Sequence, residues 1–436
     1  MKKKLFLLTI VLLCAVAQGA WAQTEVGTEE ALRAVINENG SNKSVKMTAD
    51  IQFGSHLVIE NGKNVTLDLN GHKLSRSLAD YADDGNVIFV ETGGQLTVKD
   101  SGNNSGQITG GKATDGGGIC NHGTLTIEGG TITDCYAQNC GGGIFNAPAT
   151  AGGYPTTLTV KGGTVTGNTC GDRGAGIFNY PGCKLNMQGE VSIGVNRKDG
   201  GQYSNLYLDG ESVINVTGAL TGSHIGVSIE QSGRTITKDY KKYNPMTDGT
   251  TIFSSDNSQF SIAQDGDEMF YGRSATFNVR SWDATNKQVV TTSVKKVCTP
   301  IEGSHPEGWI TLTNGYYMVT GNVEYQALTI AGSDVHLILA DGCNLDCRHI
   351  KLEEPCGLSI YSQSDGDREG KMTVRNYKYP SNDMPVFEIA AAIGSGTENI
   401  NMGALYIHGG VIYAETSTKI DDAMGAGIGG ALKSGI

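Results

Sequence analysis

Two pairs of adjacent aspartates, Asp83-Asp84 and Asp421-Asp422, are the clearest acidic motifs in the chain. Two carboxylates a few ångströms apart are what glycoside hydrolases use as acid and as base or nucleophile. Both pairs lie in polar segments that predict turns, and adjacent acids on a turn ordinarily face solvent. The sequence therefore assigns no catalytic residue.

Sulfur and imidazole side chains near residue 350 are the candidates for a metal site. Cys343, Cys347 and Cys356 surround His349. Their spacing differs from the Cys-x-x-Cys pairs of zinc sites, and none of the eight histidines stands four residues from another. We therefore predict no metal site and no cofactor.

Aromatic side chains are the remaining candidates, because their ring faces can stack on sugars. In β structure, isolated aromatic residues more often serve packing, so both interpretations stay open. The candidates are Tyr203, Tyr207, Tyr240, Tyr243, Trp282 and Trp309.

The composition indicates which elements position these residues. Glycine accounts for 62 of the 436 residues, and aromatic residues for only 7 %. Each glycine inside a helix costs about 1 kcal/mol relative to alanine, which excludes a helical bundle. Hydrophobic residues make up 38 % of the chain and occur in short runs, whereas a disordered chain is poor in them. The sequence predicts an all-β protein with many turns.

Residues 1–22 predict a secretory signal peptide, since Lys2–Lys4 precede an apolar stretch over Leu5–Ala17 and a small-x-small ending at Ala20–Ala22. Cleavage is expected before Gln23. A membrane anchor is disfavoured because the apolar run is shorter than the roughly 18 residues needed to span. A lipoprotein would use Cys14, but Leu13 before it is larger than usual at that position. No other run could span a membrane, so the mature chain is expected to be secreted or held at the cell surface.

Charge limits the possible partners. Removing residues 1–22 takes away three lysines and no acid, which changes the formal net charge from −12 to −15. Such a chain repels phosphate backbones, so nucleic acid is excluded as a partner.

The strongest signal is an internal repeat. The segment Gly116–Asn121 recurs as Gly141–Asn146 and as Gly174–Asn179. Strand-turn-strand patterns follow at Thr124–Thr133 and Thr157–Thr166. The second interval is longer, which matches a loop inserted around residues 147–155. These repeats predict the coils of a solenoid.

Coil geometry explains the residue types. Strands of alternating residues send Leu125 and Ile127 inward and Thr124 and Thr126 outward. Three asparagines fall at one phase of the coil and predict an internal amide ladder, with a row of ligand-binding groups as the alternative. Three glycines are assigned to turns where positive φ would favour them. These six residues are Asn121, Asn146, Asn179, Gly118, Gly143 and Gly176.

Cysteines are expected at matching turn edges of successive coils. Cys135, Cys140 and Cys170 could form cross-coil disulfides, although their partners cannot be assigned. Nine cysteines remain after residue 22, an odd number, so at least one thiol stays free or pairs with another chain.

The organisation along the chain follows from these patterns. Thr28 can cap a short helix over Glu29–Ile36 that covers the first coil. A β-helix with glycine-rich repeats is predicted for 23–237, a β-rich connecting segment for 238–322, and a second β-helix segment for 323–436. After the glycine-rich turn Gly425–Gly430, only Ala431–Ile436 remain, with no capping element. We therefore expect either a longer natural chain or a last coil covered by another chain.

Two groups of motifs carry a resemblance. Val65–His72 and the glycine-rich turns resemble secreted right-handed parallel β-helix proteins of the pectin-lyase-like fold. The turns are also similar to the repeats of polymorphic outer-membrane proteins and related adhesins. His336–Cys343 and Ile360–Ser364 look like a module found in large exported proteins of gut anaerobes.

The resemblance implies fold and export more than activity. Lyases resembling pectate lyase carry an Arg-x-Pro-x-x-Arg-like segment, and the related hydrolases carry Gly-His-Gly and Arg-Ile-Lys. This chain has none of them. The expected function is non-catalytic adhesion or contact with a host or dietary glycan or a surface protein. The alternative is a carbohydrate-active enzyme of the same fold, either a polysaccharide lyase or a glycoside hydrolase.

Overall fold

The computed structural model describes residues 23–149, 156–376, 391–395, 400–416 and 428–429. It contains two compact units, which are described separately. The first comprises the residues up to Gln231, Thr235–Ser258 and Gln264–Met269, and the second comprises Ser232–Arg234, Gln259–Ala263 and the residues from Phe270 onward.

Short strands are the main regular structure of the chain up to residue 255. Two α-helices, α1 (Glu29–Asn37) and α2 (Tyr240–Tyr243), and a 3₁₀ turn over Gly249–Thr251 accompany them. In chain order the strands are β1 (Thr24–Val26), β2 (Asn42–Met47), β3 (Ile51–Gln52), β4 (Leu57–Ile59), β5 (Asn64–Asp68), β6 (Lys73–Ser75), β7 (Ile88–Val90), β8 (Gln95–Lys99), β9 (Gln107–Thr109), β10 (Lys112–Ala113), β11 (Ile119–Asn121), β12 (Thr124–Ile127), β13 (Thr131–Thr133), β14 (Tyr136–Ala137), β15 (Ile144–Asn146), β16 (Thr157–Thr166), β17 (Thr169–Cys170), β18 (Ile177–Asn179), β19 (Lys184–Gly194), β20 (Arg197–Lys198), β21 (Leu206–Leu208), β22 (Ile214–Val216), β23 (His224–Ile229), β24 (Arg234–Thr235), β25 (Thr237–Lys238) and β26 (Phe253–Ser255).

The first unit is a parallel β-helix, which confirms the predicted fold class. Each strand pairs in parallel with the strand one coil away; β12, for example, pairs with β8 on one side and with β16 on the other. Leu96, Leu125 and Leu158 are therefore stacked in one inward column, and all three are buried. Alternation of side chains along the strands sends the intervening threonines outward.

Helix α1 covers the first coil, as predicted. The Thr28 hydroxyl accepts a hydrogen bond from the Ala31 amide at 3.2 Å, which caps the helix. Leu32 and Ile36 are buried beneath it. The prediction ended the helix one residue early, at Ile36 rather than Asn37.

The remaining strands are longer. They are β27 (Ser261–Asp265), β28 (Glu268–Asp283), β29 (Gln288–Ile301), β30 (His305–Leu312), β31 (Gly315–Val319), β32 (Asn322–Ile330), β33 (Val335–Leu339), β34 (Asn344–Lys351), β35 (Gly357–Ser362), β36 (Lys371–Asn376), β37 (Ile393–Gly394), β38 (Ala404–Ile407), β39 (Val411–Thr416) and β40 (Ile428–Gly429).

The second unit also stacks its coils in parallel. One row runs β29, β31, β33, β35 and β38, and another runs β30, β32, β34, β36 and β39. Inward residues such as Leu337, Leu345 and Ile360 form its core and are fully buried. Parallel pairing thus begins in this unit at Thr299–Ile301, and in the first unit it extends to Phe253–Ser255. Both ranges fall within residues 238–322, where irregular glycine spacing had indicated a connecting segment.

An antiparallel hairpin packs against the second unit. Its strands β28 and β29 pair from Arg273 and Cys298 to Asp283 and Gln288. Phe277, on its inner face, lies 4.7 Å from the Tyr361 ring, centroid to centroid. The hairpin therefore covers an outer flank of these coils.

Candidate binding surface

A flat column of small polar side chains lies on the outside of the first unit. Its members occupy equivalent outward positions of successive coils, where stacked residues are about 4.8 Å apart. We call it the threonine column, and it consists of Ser44, Thr66, Thr97, Thr126, Thr159, Asn186 and Asn215.

A second polar column runs beside the threonine column. It lies two residues earlier on each strand, which separates the columns by about 6.6 Å. The two columns together are called the polar face here, and the second consists of Asn42, Asn64, Gln95, Thr124, Thr157 and Lys184.

One margin of the polar face carries charges of alternating sign. Lys99 pairs with Asp68 at 3.7 Å, and Lys161 pairs with Glu128 at 3.1 Å, each across neighbouring coils. The side chains between these pairs and the second column are hydroxyls and amides. The centre of the face is thus polar but almost uncharged.

The first coils of the polar face enclose a shallow depression of about 320 Å³. Asn42, Lys43, Ser44, Asn64 and Thr66 line it. The Asn64 side chain donates to the Asn42 side chain at 2.9 Å, so these two members of the second column hold each other in place. A ligand at this position would contact both columns.

The predicted asparagine ladder lies in the interior. Asn121 Nδ2 donates to Asn146 Oδ1 at 2.7 Å, and Asn146 Nδ2 donates to Asn179 Oδ1 at the same distance. All three residues have 0 % exposure. Because no ligand in solution could reach them, these amides stabilise the stacked turns.

Sequence reasoning missed a second buried ladder. Asn168 donates to Asn196 at 3.0 Å, Asn196 to Asn205 at 3.1 Å, and Asn205 to Asp256 at 2.5 Å. Burial raises the pKa of Asp256 even though Asn205 and Ser228 donate hydrogen bonds to its carboxylate. One signal was present, since Asn168 and Asn196 each stand three residues after an inward Val165 or Ile193.

The three predicted turn glycines are required for a different reason from the one expected. Positive φ belongs to the first glycine of each motif, for example +70° at Gly141. A Cβ on Gly143 would lie 2.6 Å from the Gly176 carbonyl oxygen, and one on Gly118 equally close to the Gly143 carbonyl. At Gly176 the Asn205 carbonyl occupies that place. Close stacking of coils, rather than backbone conformation, therefore excludes side chains at these positions.

The aromatic candidates do not form one platform. Tyr207 and Tyr240 are 6 % and 0 % exposed, so of the two interpretations the structure favours packing for both. Tyr207 stacks on Phe178 with ring centroids 5.8 Å apart, within a row of rings that face each other along the coils. Tyr203 is exposed, but Arg197 lies over its ring at 4.0 Å.

The other three aromatic candidates lie elsewhere. Trp282 and Trp309 are exposed on β28 and β30 of the second unit. Tyr243, at the end of α2, has the Lys242 ammonium 4.7 Å from its ring centre.

A charged cluster surrounds Arg173. The guanidinium donates to the Tyr207 hydroxyl at 3.2 Å and lies 3.8 Å from Asp209 and 3.7 Å from Glu230. Burial raises the pKa of Tyr207 to about 12, so this hydroxyl keeps its proton at neutral pH and cannot act as a base. The two carboxylates are in ion pairs with one cation, an arrangement that also serves structure.

The acidic pairs found in the sequence do not build a site. Asp83 and Asp84 are both exposed; the Tyr81 hydroxyl donates to Asp83, and the backbone carbonyl of Asp84 accepts from Arg76 at 2.7 Å. Asp421-Asp422 lies outside the described residues.

The cysteines from Cys120 onward are free thiols, which contradicts the proposed cross-coil disulfides. Cys135 and Cys170 point into the core, and burial raises the pKa of each thiol to about 12. Cys343 and Cys347 are likewise buried in the second unit. Within the described ranges, no group of three or more His, Cys, Asp or Glu side chains could hold a metal ion. His349 is instead bonded through Nδ1 to the Ala391 carbonyl at 2.7 Å.

No family model, curated protein or solved structure matches this chain. In the part of the chain that the structure describes, no helix is both long and apolar enough to span a membrane. Function therefore has to be inferred from the polar face and the Arg173 cluster.

Proposed function

We propose that this chain is an exported, non-catalytic surface protein, related to pectin-lyase-like β-helices with adhesin-type repeats. It binds an extended neutral polysaccharide along the polar face of its first unit. The observation that carries the proposal is the polar face itself, with two parallel columns in register over successive coils that consist of hydroxyl and amide groups except for Lys184.

The chemistry of the polar face suits a glycan. Hydroxyl and amide groups both donate and accept hydrogen bonds, as sugar hydroxyls do. Short threonine side chains on a rigid sheet lose little conformational entropy when they bind. A flat, extended polysaccharide presents its hydroxyls at repeated intervals of ångström scale, so many weak contacts can form together.

The charge of the chain favours a neutral polymer over a polyanion. The chain carries a formal net charge of −12, which repels uronic acid polymers and sulfated glycans. Lys99 and Lys161 at the margin are in ion pairs with Asp68 and Glu128. Lys46 beside Asp68 and Lys184 in the second column add only two positive charges, which is small against the net charge of the chain.

A direct test is retention on insoluble neutral polysaccharides such as cellulose, chitin and mannan, with pectin as the polyanionic comparison. Thr126→Lys places a long charged side chain in the middle of the threonine column and should weaken binding at least about 10-fold, through desolvation and lost hydrogen bonds. Thr131→Lys is the matched control, because Thr131 lies half-buried on the next strand of the same coil, outside the polar face. Equal retention of both variants, or equal loss, would contradict the proposal.

The rival function is a carbohydrate-active enzyme centred on Arg173. It is supported by the arrangement of Asp209 and Glu230 around one guanidinium next to a tyrosine hydroxyl. A screen for new reducing ends and for 4,5-unsaturated products on plant and host glycans separates the two functions. Turnover that is lost in Glu230→Gln but kept in Glu128→Gln would replace binding with catalysis.

Export is a separate part of the proposal. Expression with residues 1–22 should yield protein outside the cytoplasm whose first residue is Gln23, as determined by N-terminal sequencing. Retention of residues 1–22 in the cytoplasm would refute it.

A further inference from the structure

The two edges of the hairpin in the second unit are used differently. At the β28 edge, the backbone N–H and C=O of Arg280 lie 3.3 and 2.9 Å from His408 Nδ1. The Arg280 guanidinium also donates to Asp365 at 2.6 Å. This edge is therefore anchored to the coils that the hairpin covers.

The contacts of Arg280 show which backbone N–H and C=O groups of β29 face away from β28. Arg280 is paired with Thr291, and its polar backbone groups face His408 rather than β29. Arg280 and Thr291 thus form a non-hydrogen-bonded pair, and the N–H and C=O of Thr291 point away from β28. The same holds at every second residue, so Val289, Ser293 and Lys295 also direct their backbone groups outward. These four residues are called the free edge.

No partner strand covers the free edge among the described residues. β29 pairs with β31 only through Thr299–Ile301, beyond its end. The side chains of Gln288–Ser293 are exposed, with Val289 at 61 %. Four outward N–H groups and four C=O groups are thus available to another strand.

The first half of this strand, Gln288–Val294, lacks the usual protection of edges. Natural edge strands carry lysine, proline or a bulge that prevents pairing. Gln288–Val294 contains no charge, proline or glycine and is rich in β-branched residues. Lysines flank this segment at Lys287, Lys295 and Lys296, and of these Lys295 belongs to the free edge.

We propose that the free edge pairs antiparallel with the free edge of a second copy of this chain, centred on Thr292. This register places Lys295 opposite Val289 and Lys296 opposite Gln288, so no lysine faces a lysine. A centre one residue earlier would set Lys287 against Lys295, and a parallel arrangement would place equivalent lysines side by side.

The same register also pairs the outward backbone N–H and C=O groups of the two copies. It pairs Thr291 with Ser293 and Val289 with Lys295, so outward groups meet outward groups and about eight hydrogen bonds form. Val290 and Val294 then lie opposite each other on the inner face. The contact is smaller than a standard interface, so the dimer depends on protein concentration.

The test is sedimentation equilibrium of the chain over low to high micromolar concentrations, in about 0.15 M salt to screen its net charge. The chain should dimerise reversibly. Thr291→Lys/Ser293→Lys places lysines opposite lysines and should weaken dimerisation at least about 10-fold. Thr291→Lys/Ser293→Glu, the matched variant with the same number of substitutions, should retain it because each lysine then faces a glutamate.

Amide hydrogen exchange gives a second readout. The amides of Val289, Thr291 and Ser293 should become protected as concentration rises, whereas those of Val290 and Thr292 are already protected in the monomer by β28. A monomer at all concentrations, equal dimerisation of the two variants, or protection without this alternation would overturn the proposal. Irreversible growth into larger aggregates would do so as well, because it indicates open-ended strand stacking rather than a closed pair.

Discussion

The two units stabilise similar coils in different ways, the first from the interior and the second from an outer flank. In the first unit, buried asparagines such as Asn146 bond from coil to coil in the interior, and the polar face outside remains open. In the second unit, a hairpin and stacked rings cover an outer flank: Tyr316 stacks on His336 at 4.2 Å, and Tyr361 on His408 at 4.6 Å. Hydrogen bonds within the first unit therefore leave its polar face uncovered, whereas the flank of the second unit is covered by the hairpin.

The largest expected effect tests the external stabilisation. Phe277 is 1 % exposed beneath the hairpin, so Phe277→Ala should destabilise the second unit by about 3–5 kcal/mol. Thr276→Ala, on the exposed face next to it, is the control and should change stability little. The measurement is denaturant unfolding, with hydrogen exchange of amides in the core of the second unit as the probe. Similar values for both variants would mean that the hairpin does not stabilise these coils.

The next effect tests how tightly the first unit is stacked. A Cβ at residue 143 would lie 2.6 Å from a backbone oxygen of the next coil, which cannot move without shifting that coil. Gly143→Ala should therefore cost about 3 kcal/mol. Gly194→Ala is the control, because no atom lies within 4 Å of its added Cβ and its φ is not positive. The measurement is the melting temperature of both variants. An unchanged melting temperature in Gly143→Ala would contradict the stacking argument.

The amide ladder should have a somewhat smaller effect. Asn146→Ala leaves the Asn121 donor and the Asn179 acceptor unpaired in the interior, at a cost of about 2 kcal/mol. Thr126→Ala, on the outside of the preceding coil, should be nearly neutral. If Asn146→Ala kept its melting temperature but lost glycan binding, the ladder would have to be reassigned as a ligand site.

The smallest effect concerns two histidines of the second unit. Burial lowers the pKa of His349 and His336 in the second unit below the ordinary 6.5. A lowered folded-state pKa contributes stability above pH 6.5 that is lost as pH falls toward that pKa, so the second unit should become less stable between pH 7 and pH 5. His349→Gln should reduce this loss, whereas His305→Gln, at an exposed site, should not. Hydrogen exchange of the second unit at both pH values is the measurement, and parallel losses in all three proteins would exclude His349 as a cause.

Repetition determines how much of this structure could be predicted. The coils and the ladder from Asn121 to Asn179 follow from motifs that recur at a fixed phase, whereas the helix over Glu29–Asn37 was predicted from its Thr28 cap. The second ladder was missed because its last step joins Asn205 to Asp256, which are far apart in sequence. The hairpin was missed because β28 and β29 occur once and lack any repeat.

The candidate surface was harder to predict than the fold. Thr124 and Thr126 were placed outward correctly, but their alignment with Thr97 and Thr159 depends on a register that only stacked coils provide. For Tyr240 the choice between packing and sugar contact stayed open, because exposure cannot be deduced from residue type. Its ring is buried next to Phe253, with centroids 6.0 Å apart.

The corner that joins β15 to β16 has equivalents in the neighbouring coils, between β11 and β12 and between β18 and β19. These corners differ in length, yet the strands that flank them are not shifted. The corner spans residues 122–123 in one coil, 147–156 in the next and 180–183 in the third, and the strands on both sides keep their partners. The length of this corner can therefore change without changing which strands pair between coils. A peptide grafted there would be displayed at the rim of a chosen coil, and grafts in successive coils would form an evenly spaced array on a rigid support.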